Sequence, residues 1–262
     1  MSALAAEGLA IEFGGVKAVE DVSFSVRRGE IFAIIGPNGA GKTTLFNLLS
    51  GLYKPRRGRV LLNDSDVTGE TPHALARQGL SRTFQNLQVF FRMGAIDNVM
   101  VGRHLHERRN VLAHLLALPS VNRQNRETRD KAEQLLARVG LAGVADRPAG
   151  TLPYGALKRL EIARALATEP KILLLDEPAA GCNPVETSEI EAIIRGIARD
   201  GVTVVLVEHD MRLVMNVSDR IHVLAHGRTL AEGTAAEVRA NPAVIEAYLG
   251  VSATQETGRA IG

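Results

Sequence analysis

Short, strongly apolar runs alternate along the chain with segments whose apolar residues recur at helical spacing. EIFAIIG, GRVLLND, KILLLDEP and VTVVLVEHD have the length of strands, whereas KTTLFNLLSGL has the spacing of a helix. Runs that are apolar throughout are typical of parallel strands, because a parallel sheet is covered on both faces. The pattern therefore predicts an α/β fold with a mostly parallel sheet.

Two further patterns predict antiparallel pairs near the ends of the chain. LAIEF and VSFSV flank Gly14 and Gly15, a dipeptide suited to a hairpin turn, and RIHVLAHGRTLAEG has the pattern of a closing hairpin. Between them, residues 99 to about 147 are mostly helical in pattern, and Thr71 with Pro72 predicts the start of another helix. Residues 251–262 predict a frayed tail.

Composition narrows the class of protein. The 262 residues allow one large α/β domain or two small ones. Lysine and arginine number 31 against 29 acidic residues, so no overall field favours a nucleic-acid partner. Cys182 is the single cysteine, which excludes an internal disulfide and fits a reducing compartment. The N-terminal pattern is not that of a signal peptide, and no apolar run approaches the roughly 20 residues that span a bilayer. We expect a soluble cytoplasmic chain.

The segment GPNGAGKTT, residues 36–44, fits the pattern G-x-x-x-x-G-K-[ST] between a predicted strand and a predicted helix. Its glycines let successive backbone N–H groups converge on phosphate oxygens, and the helix N-terminus adds a positive dipole end. Lys42 has the length to reach β- and γ-phosphates, and the Thr43 hydroxyl is suited to Mg²⁺. A glycine-rich turn that binds nothing is the alternative, and the flanking elements favour a nucleotide-phosphate site.

A second group of polar residues follows two of the predicted strands. Asp176 and Glu177 end ILLLDEP, and His209 closes VTVVLVEH. Ligands of α/β proteins bind at the carboxyl ends of strands, where Asp176 is suited to hold Mg²⁺ through water and Glu177 to polarise an attacking water. An acidic pair after a strand is more often a solvated strand end, but the phosphate loop upstream favours the functional interpretation.

Five motifs in this order, GPNGAGKTT, TFQN, LPYGALKRLEIARAL, ILLLDEP and VEHD, resemble those of the ATP-binding subunits of ABC transporters. The resemblance covers residues 3–250. It implies a P-loop ATPase core, an N-terminal antiparallel β subdomain and an inserted α-helical subdomain. It also implies a head-to-tail dimer that closes on two ATP molecules and drives two transmembrane permease subunits. The expected divisions are a single domain over 1–250, with the nucleotide core at 1–85 and 160–250 and the helical subdomain at about 86–159, followed by a tail at 251–262.

The resemblance also implies roles for single residues. Phe13 is similar to the aromatic residue that stacks on adenine, and Gln85 to the glutamine that senses Mg²⁺ and the membrane partner. Glu177 matches the catalytic glutamate, His209 the switch histidine, and residues 152–156 the signature that covers the ATP of the partner. The expected catalytic residues are Glu177, His209 and Gln85, and the expected Mg²⁺ residues are Thr43, Gln85 and Asp176. The residues expected to bind ATP are Phe13, Gly36, Pro37, Asn38, Gly39, Ala40, Gly41, Lys42, Thr43, Thr44 and Gly155.

A narrower resemblance rests on FGGVKAV, RTFQNLQVF, DEPAAGCNPVET and NPAVIEAYLG. These segments look like the larger of the two ATPases of branched-chain amino acid importers. The implied function is import of leucine, isoleucine or valine by a subunit that is peripheral on the cytoplasmic face of the membrane. An external solute-binding protein would then act on it indirectly. Related importers for urea, amides or aromatic acids share these features, and other subunits choose the substrate.

The sequence departs from the family pattern in two places. The signature usually reads Leu-Ser-Gly-Gly-Gln, whereas residues 152–156 read LPYGA. Pro153 has neither a hydroxyl nor a backbone N–H, so we predict a heterodimer with a second ATPase whose signature is complete. The loop after DEP usually carries an aspartate after a leucine, whereas Cys182 and Asn183 stand here. We expect Cys182 to be a small apolar filler.

Other functions are less consistent with the sequence. A soluble ABC-type ATPase that acts on DNA or ribosomes generally fuses two cassettes or adds long coiled coils, and a small-molecule kinase would not explain LPYGALKRLEIARAL. His104, His106 and His114 could suggest a metal site, but scattered histidines on a basic helix usually form a solvated face, which is favoured here. A solvated face is also favoured over contact with lipid headgroups or a permease loop for the basic residues Arg103, Arg108, Arg109, Arg123 and Arg126.

Overall fold

The computed structural model describes residues 2–105 and 119–248. The strands are β1 (Ser2–Phe13), β2 (Val16–Arg27), β3 (Ile31–Ile35), β4 (Arg57–Leu62), β5 (Ser65–Asp66), β6 (Leu80–Arg82), β7 (Ile172–Asp176), β8 (Thr203–Val207), β9 (Arg220–Ala225) and β10 (Arg228–Gly233). The α-helices are Lys42–Leu49, Pro72–Arg77, Ala95–Gly102, Pro119–Arg138, Tyr154–Leu166, Pro184–Arg199, Met211–Val217 and Ala235–Ala240. Residues 242–248 are also helical.

An antiparallel sheet with strand order β2-β1-β4-β5 forms the N-terminal part of the fold. Its first hairpin is the predicted one: Phe13 pairs with Val16, and Gly14 and Gly15 turn the chain with φ of 56° and 84°. Two consecutive positive φ values favour glycine and suit the twist of a hairpin. Both strands have 12 residues and exceed the predicted segments, because alanines hide the pattern at the start of β1.

A second sheet has the strand order β10-β9-β3-β8-β7-β6. Every neighbouring pair in it is parallel except β9 and β10, which form the predicted closing hairpin. All residues of β3, β7 and β8 are buried, as expected for strands that are covered on both faces. The mostly parallel sheet predicted from the apolar runs is therefore confirmed, and the carboxyl ends of β3, β6, β7 and β8 lie at one edge.

Alternate residues of β3 belong to two different cores. Phe32 and Ile34 pack with the antiparallel sheet and with Phe46 of the helix Lys42–Leu49. Ile31, Ala33 and Ile35 belong to the core on the other side, which includes the helix Tyr154–Leu166. Apolar packing on both faces fixes the strand ends, and the loops that follow them start from rigid positions.

The region predicted to be mostly helical contains the helices Ala95–Gly102 and Pro119–Arg138. His106, His114, Arg108 and Arg109, and the predicted tail, lie outside the described residues. The division into a nucleotide core and a helical subdomain stays a prediction, and its boundary at 159 and 160 falls within the helix Tyr154–Leu166. Within the described ranges, none of the helices has both the length and the apolar composition to cross a membrane.

Candidate active site

The loop between β3 and the helix Lys42–Leu49 requires glycine at two positions where the backbone comes close to other strands. A Cβ at Gly36 would lie 2.0 Å from the carbonyl oxygen of Leu224, and one at Gly41 would lie 2.3 Å from that of Ala18. Both residues also have positive φ, 153° and 99°. A side chain at either position would displace backbone. The glycines thus keep the loop pressed against β2 and β9.

The backbone of this loop offers a set of hydrogen-bond donors. Among the described residues, no protein acceptor takes the N–H groups of Gly39, Gly41, Lys42, Thr43 or Thr44. These donors include the first turn of the helix, where the helix dipole is positive. A curved row of N–H groups at a helix N-terminus is suited to bind phosphate. The loop therefore fits the nucleotide phosphates expected from the sequence.

Lys42 lies inside this loop. Its Nζ donates to the carbonyl oxygens of Gly36 at 2.7 Å and Pro37 at 3.0 Å. Burial lowers the pKa of its ammonium, and the nearby Glu177 carboxylate opposes this effect. The phosphate loop and the end of β7 are therefore within electrostatic reach of each other.

Asp176, the last residue of β7, is ion-paired. Its Oδ2 accepts a hydrogen bond from Arg82 Nη2 at 2.7 Å, and Arg82 Nη1 also donates to Asn47 Oδ1 and Ser50 Oγ. The Asp176 carboxylate is buried with this counter-ion, and its Oδ1 accepts no hydrogen bond from the described residues. Carboxylate and hydroxyl oxygens are ligands that Mg²⁺ prefers, so Asp176 and Thr43 fit the expected ion. Arg82 was not among the residues predicted from the sequence, although it directly precedes the TFQN motif.

Glu177, Gln85 and His209 come together although they lie in three separate segments. Gln85 Nε2 donates to Glu177 Oε2 at 3.1 Å, and His209 Nδ1 lies 3.9 Å from the same oxygen. Glu177 has a φ of 48°, and its N–H donates to Val207 at the end of β8. A positive φ at a residue with a long side chain is unfavourable, and such conformations cluster at functional sites. Two of the residues predicted to be catalytic, Gln85 and His209, thus lie next to one carboxylate oxygen of the third, Glu177.

Glu208 is a buried residue, not predicted from the sequence as part of the site, that holds the backbone at His209. Glu208 accepts hydrogen bonds from the N–H groups of Ala179 at 2.8 Å and His209 at 3.1 Å. Burial raises the pKa of its carboxyl, and these N–H donors oppose the rise. Glu208 therefore ties the segment after Glu177 to the segment that carries His209.

Phe13 lies at the end of β1, next to the hairpin turn, and 46% of its surface is exposed. Its ring contacts that of Tyr53 in an edge arrangement, with centroids 5.4 Å apart. Tyr53 follows the helix that begins at Lys42, and Ala18 of β2 touches Gly41 of the phosphate loop. The hairpin that carries Phe13 is thus packed against the phosphate loop.

Gly155 lies in the first turn of the helix Tyr154–Leu166, and a Cβ there would lie 2.4 Å from the Glu186 side chain. Its neighbours in this chain are thus residues after β7 and not the phosphate loop. Asn183 caps the next helix by accepting from the N–H groups of Val185 and Glu186, which explains an asparagine at this position. Cys182 packs against the core as the expected apolar filler.

Residues 19–180 match the family described as ABC transporter. The chain belongs to this family, as an ATP-binding subunit. Residues 228–254 match a second family, described as branched-chain amino acid ATP-binding cassette transporter. The resemblance stated from the five motifs is therefore confirmed.

Relatives match along nearly the whole chain. The high-affinity branched-chain amino acid transport ATP-binding protein BraF of Pseudomonas aeruginosa is 47% identical over 248 residues, 94% of this chain and 97% of that protein. The protein LivG of Escherichia coli K12, with the same description, is 46% identical over the same shares. An ATP-binding cassette of an ABC transporter, solved in its ADP conformation, has a TM-score of 0.83 and 34% identity, and the match covers 95% of this chain and 99% of that one.

Of the three histidines considered as a metal site, only His104 lies within the described residues. His104 Nδ1 lies 3.0 Å from the carbonyl oxygen of Val101, a local contact within its own helical segment. In the part of the chain that the structure describes, no group of three or more histidine, cysteine or acidic side chains is arranged to hold a metal ion.

Proposed function

We propose that the chain is the ATP-hydrolysing subunit of a branched-chain amino acid importer, in which it powers transport of leucine, isoleucine or valine through membrane permeases. The observation that carries the ATPase assignment is the cluster of Gln85, Glu177 and His209. It lies next to Asp176, which Arg82 links to Asn47 on the helix that follows the phosphate loop. Identity of 47% over 94% of the chain to a branched-chain amino acid transport ATP-binding protein supports the substrate class.

Binding of ATP is assigned to the loop over residues 36–44 and to Phe13. The N–H groups of the loop and Lys42 would hold the phosphates, and the Phe13 ring would stack on the base. Thr43, Asp176 and Gln85 would hold Mg²⁺, which when bound neutralises charge on the phosphate oxygens. Arg82 orients the Asp176 carboxylate through a charge-assisted hydrogen bond.

Hydrolysis is assigned to the Glu177 carboxylate, which would orient the attacking water and accept its proton. Gln85 fixes one carboxylate oxygen of Glu177 by donating to it at 3.1 Å. His209 Nδ1 lies 3.9 Å from the same oxygen, and the His209 N–H donates to Glu208 at 3.1 Å. Because each side chain starts at the end of a different strand, the sheet fixes their relative positions.

The arrangement of the ATP sites in a dimer follows from the signature. In a head-to-tail dimer, residues 152–156 would cover the ATP held by the partner. Pro153 precedes the first turn of its helix and provides no side-chain hydrogen bond there. With a second ATPase whose signature is complete, one ATP site would lack the serine donor and the other would have it. We therefore favour a heterodimer.

A group of exposed apolar residues supports a membrane partner. Phe84, Phe90 and Phe91 lie on the segment after β6, and Val101 lies on the following helix, each with 38% to 50% of its surface exposed. Aromatic side chains are enriched at protein interfaces, so the three exposed phenylalanines favour an interaction site on this segment. The same segment carries Gln85, so a permease bound here would contact the catalytic cluster directly. Peripheral attachment to the cytoplasmic face of the membrane follows from this partner.

One experiment distinguishes the proposed function from two alternatives. The same role in an importer of urea, amides or aromatic acids leaves the ATPase unchanged, and a soluble ABC-type ATPase needs no permease. The complex is purified from membranes with its accompanying subunits and reconstituted in vesicles with the external binding protein. Leucine, isoleucine or valine should stimulate ATP hydrolysis and accumulate. Stimulation by urea, an amide or an aromatic acid alone would reassign the substrate, and turnover that is independent of membrane subunits would contradict a transport role.

A further inference from the structure

Lys158 is a buried lysine on the helix Tyr154–Leu166, which begins at the signature residues. Only 2% of its surface is exposed, and its Nζ donates to the carbonyl oxygens of Glu177 at 3.2 Å and Gln85 at 3.4 Å. A buried ammonium is unfavourable unless it is hydrogen-bonded and paired. Here two main-chain carbonyls, the Tyr154 ring and the electrostatic attraction of Glu161 compensate it.

The same face of this helix holds the segment that carries Gln85 at two further points. Glu161 accepts from the N–H groups of Phe84 at 3.5 Å and Gln88 at 3.4 Å, and Arg164 donates to the carbonyl oxygen of Gln88. Residues 158, 161 and 164 are three apart, so their side chains leave the helix on one side. Three charged side chains of one helix therefore hold the main chain of residues 84–88.

Lys158 is bonded to two chain segments, the one after β6 and the one after β7. Gln85 follows β6 and Glu177 follows β7, and their side chains meet at 3.1 Å. Lys158 Nζ donates to the main-chain carbonyl oxygens of the same two residues. Its removal would leave residues 84–88 bonded to this helix through Glu161 and Arg164, and would leave the Glu177 carbonyl without this donor. The effect falls on the geometry of the pair and not on the phosphate loop.

We propose that Lys158 is a positioning residue that sets the Glu177 carboxylate against Gln85 for ATP hydrolysis, so that the signature helix of this chain controls the alignment of its own catalytic pair. This inference rests on the proposed ATPase function. Misplacement of a reacting group by about 1 Å can cost on the order of 100-fold in rate. ATP binding, which depends on residues 36–44, should be nearly unaffected.

The test compares Lys158→Met and Lys158→Arg in the assembled complex with the permeases. Lys158→Met keeps an unbranched side chain that is one atom shorter but removes the donor. We expect kcat to fall about 10-fold while the Kd for ATP changes less than about threefold. Lys158→Arg keeps a charged donor and should recover at least half of the lost kcat. Lys171→Met is the matched control, because Lys171 is exposed and lies at the opposite end of β7, and its kcat should equal that of the wild type.

A structural role would give a different result. Loss of packing would lower the melting temperature, weaken ATP binding and reduce kcat together, without recovery in Lys158→Arg, and this would overturn the proposal. If Lys158→Met does not fold, Lys158→Gln replaces it with the same expected separation of kcat from Kd. Full kcat in a folded Lys158→Met complex would also overturn the proposal, while the ATPase function stands. A wild-type complex without ATP hydrolysis would instead remove the proposed function.

Discussion

Arg82 Nη2 lies 2.7 Å from Asp176 Oδ2, and both side chains are almost completely buried. The pair joins the end of β6, which leads to Gln85, to the end of β7, which leads to Glu177. The residue expected to hold Mg²⁺ therefore has a counter-ion within the protein. The Phe46 and Phe84 rings flank the Arg82 guanidinium, with centroids 5.4 Å and 5.1 Å from its central carbon.

Removal of Arg82 should destabilise the fold. In Arg82→Met, the Asp176 carboxylate remains buried without its counter-ion, and loss of one partner of a buried pair typically costs about 3–5 kcal/mol. Urea unfolding without nucleotide or Mg²⁺ measures this loss. Arg123→Met is the control, because Arg123 forms an exposed pair with Glu127 within one helix and its loss should leave the unfolding midpoint unchanged. Equal midpoints for Arg82→Met and wild type would show that the pair contributes nothing to stability.

Phe13 should contribute to ATP binding without selecting the base. The ring offers a π-face and no hydrogen bond, and stacking on a base contributes about 1–3 kcal/mol. We expect Phe13→Ala to weaken ATP and GTP binding by similar factors, about 10-fold, in equilibrium binding to the isolated chain. Ile245→Ala, which is equally exposed at 46%, should bind both nucleotides like the wild type. A large loss for ATP with GTP binding unchanged would indicate base-specific contacts instead.

The altered signature should limit the rate of one ATP site. Pro153 starts the helix Tyr154–Leu166 without a side-chain hydrogen bond, and Pro153→Ser would add a hydroxyl donor near the γ-phosphate of the partner. A hydrogen bond to a charged group is worth about 1.5–3 kcal/mol, so turnover at this site in the assembled complex should rise by about 10- to 100-fold.

Serine at this position also caps the helix, which stabilises by about 1 kcal/mol. The melting temperature is therefore measured in parallel with turnover. A higher melting temperature without faster turnover would mean that the serine acts only as a helix cap. If, in addition, the isolated chain hydrolyses ATP at the full rate of the complex, the asymmetric dimer is wrong.

The sequence predicted those parts of the fold that depend on local patterns. The apolar runs of β3, β7 and β8 have the composition of strands that are buried on both faces, and Gly14 with Gly15 marks a turn that needs positive φ. The phosphate loop is also local, because its donors, its lysine and its helix are consecutive in the chain. Such features are fixed by neighbouring residues and can be recognised from the sequence.

The contacts around the candidate site depend on long-range packing and were not predicted. Arg82 and Asp176 are separated by 94 residues, and Lys158 reaches Gln85 across 73 residues. Nothing near Arg82, Lys158 or Glu208 in the sequence distinguishes a buried charge from one in a solvated face. Burial became evident only when the sheet and the signature helix brought the segments together.

The most direct test of the account is ATP hydrolysis by Glu177→Gln in the assembled complex. Glutamine keeps the size of the side chain and the contact with Gln85 but removes the base, so ATP binding should persist while hydrolysis slows by at least about 10²-fold. Glu127→Gln, an exposed change on the helix Pro119–Arg138, should hydrolyse ATP at the wild-type rate. Turnover near that of the wild type in Glu177→Gln would contradict the assignment of Glu177 as the residue that activates water.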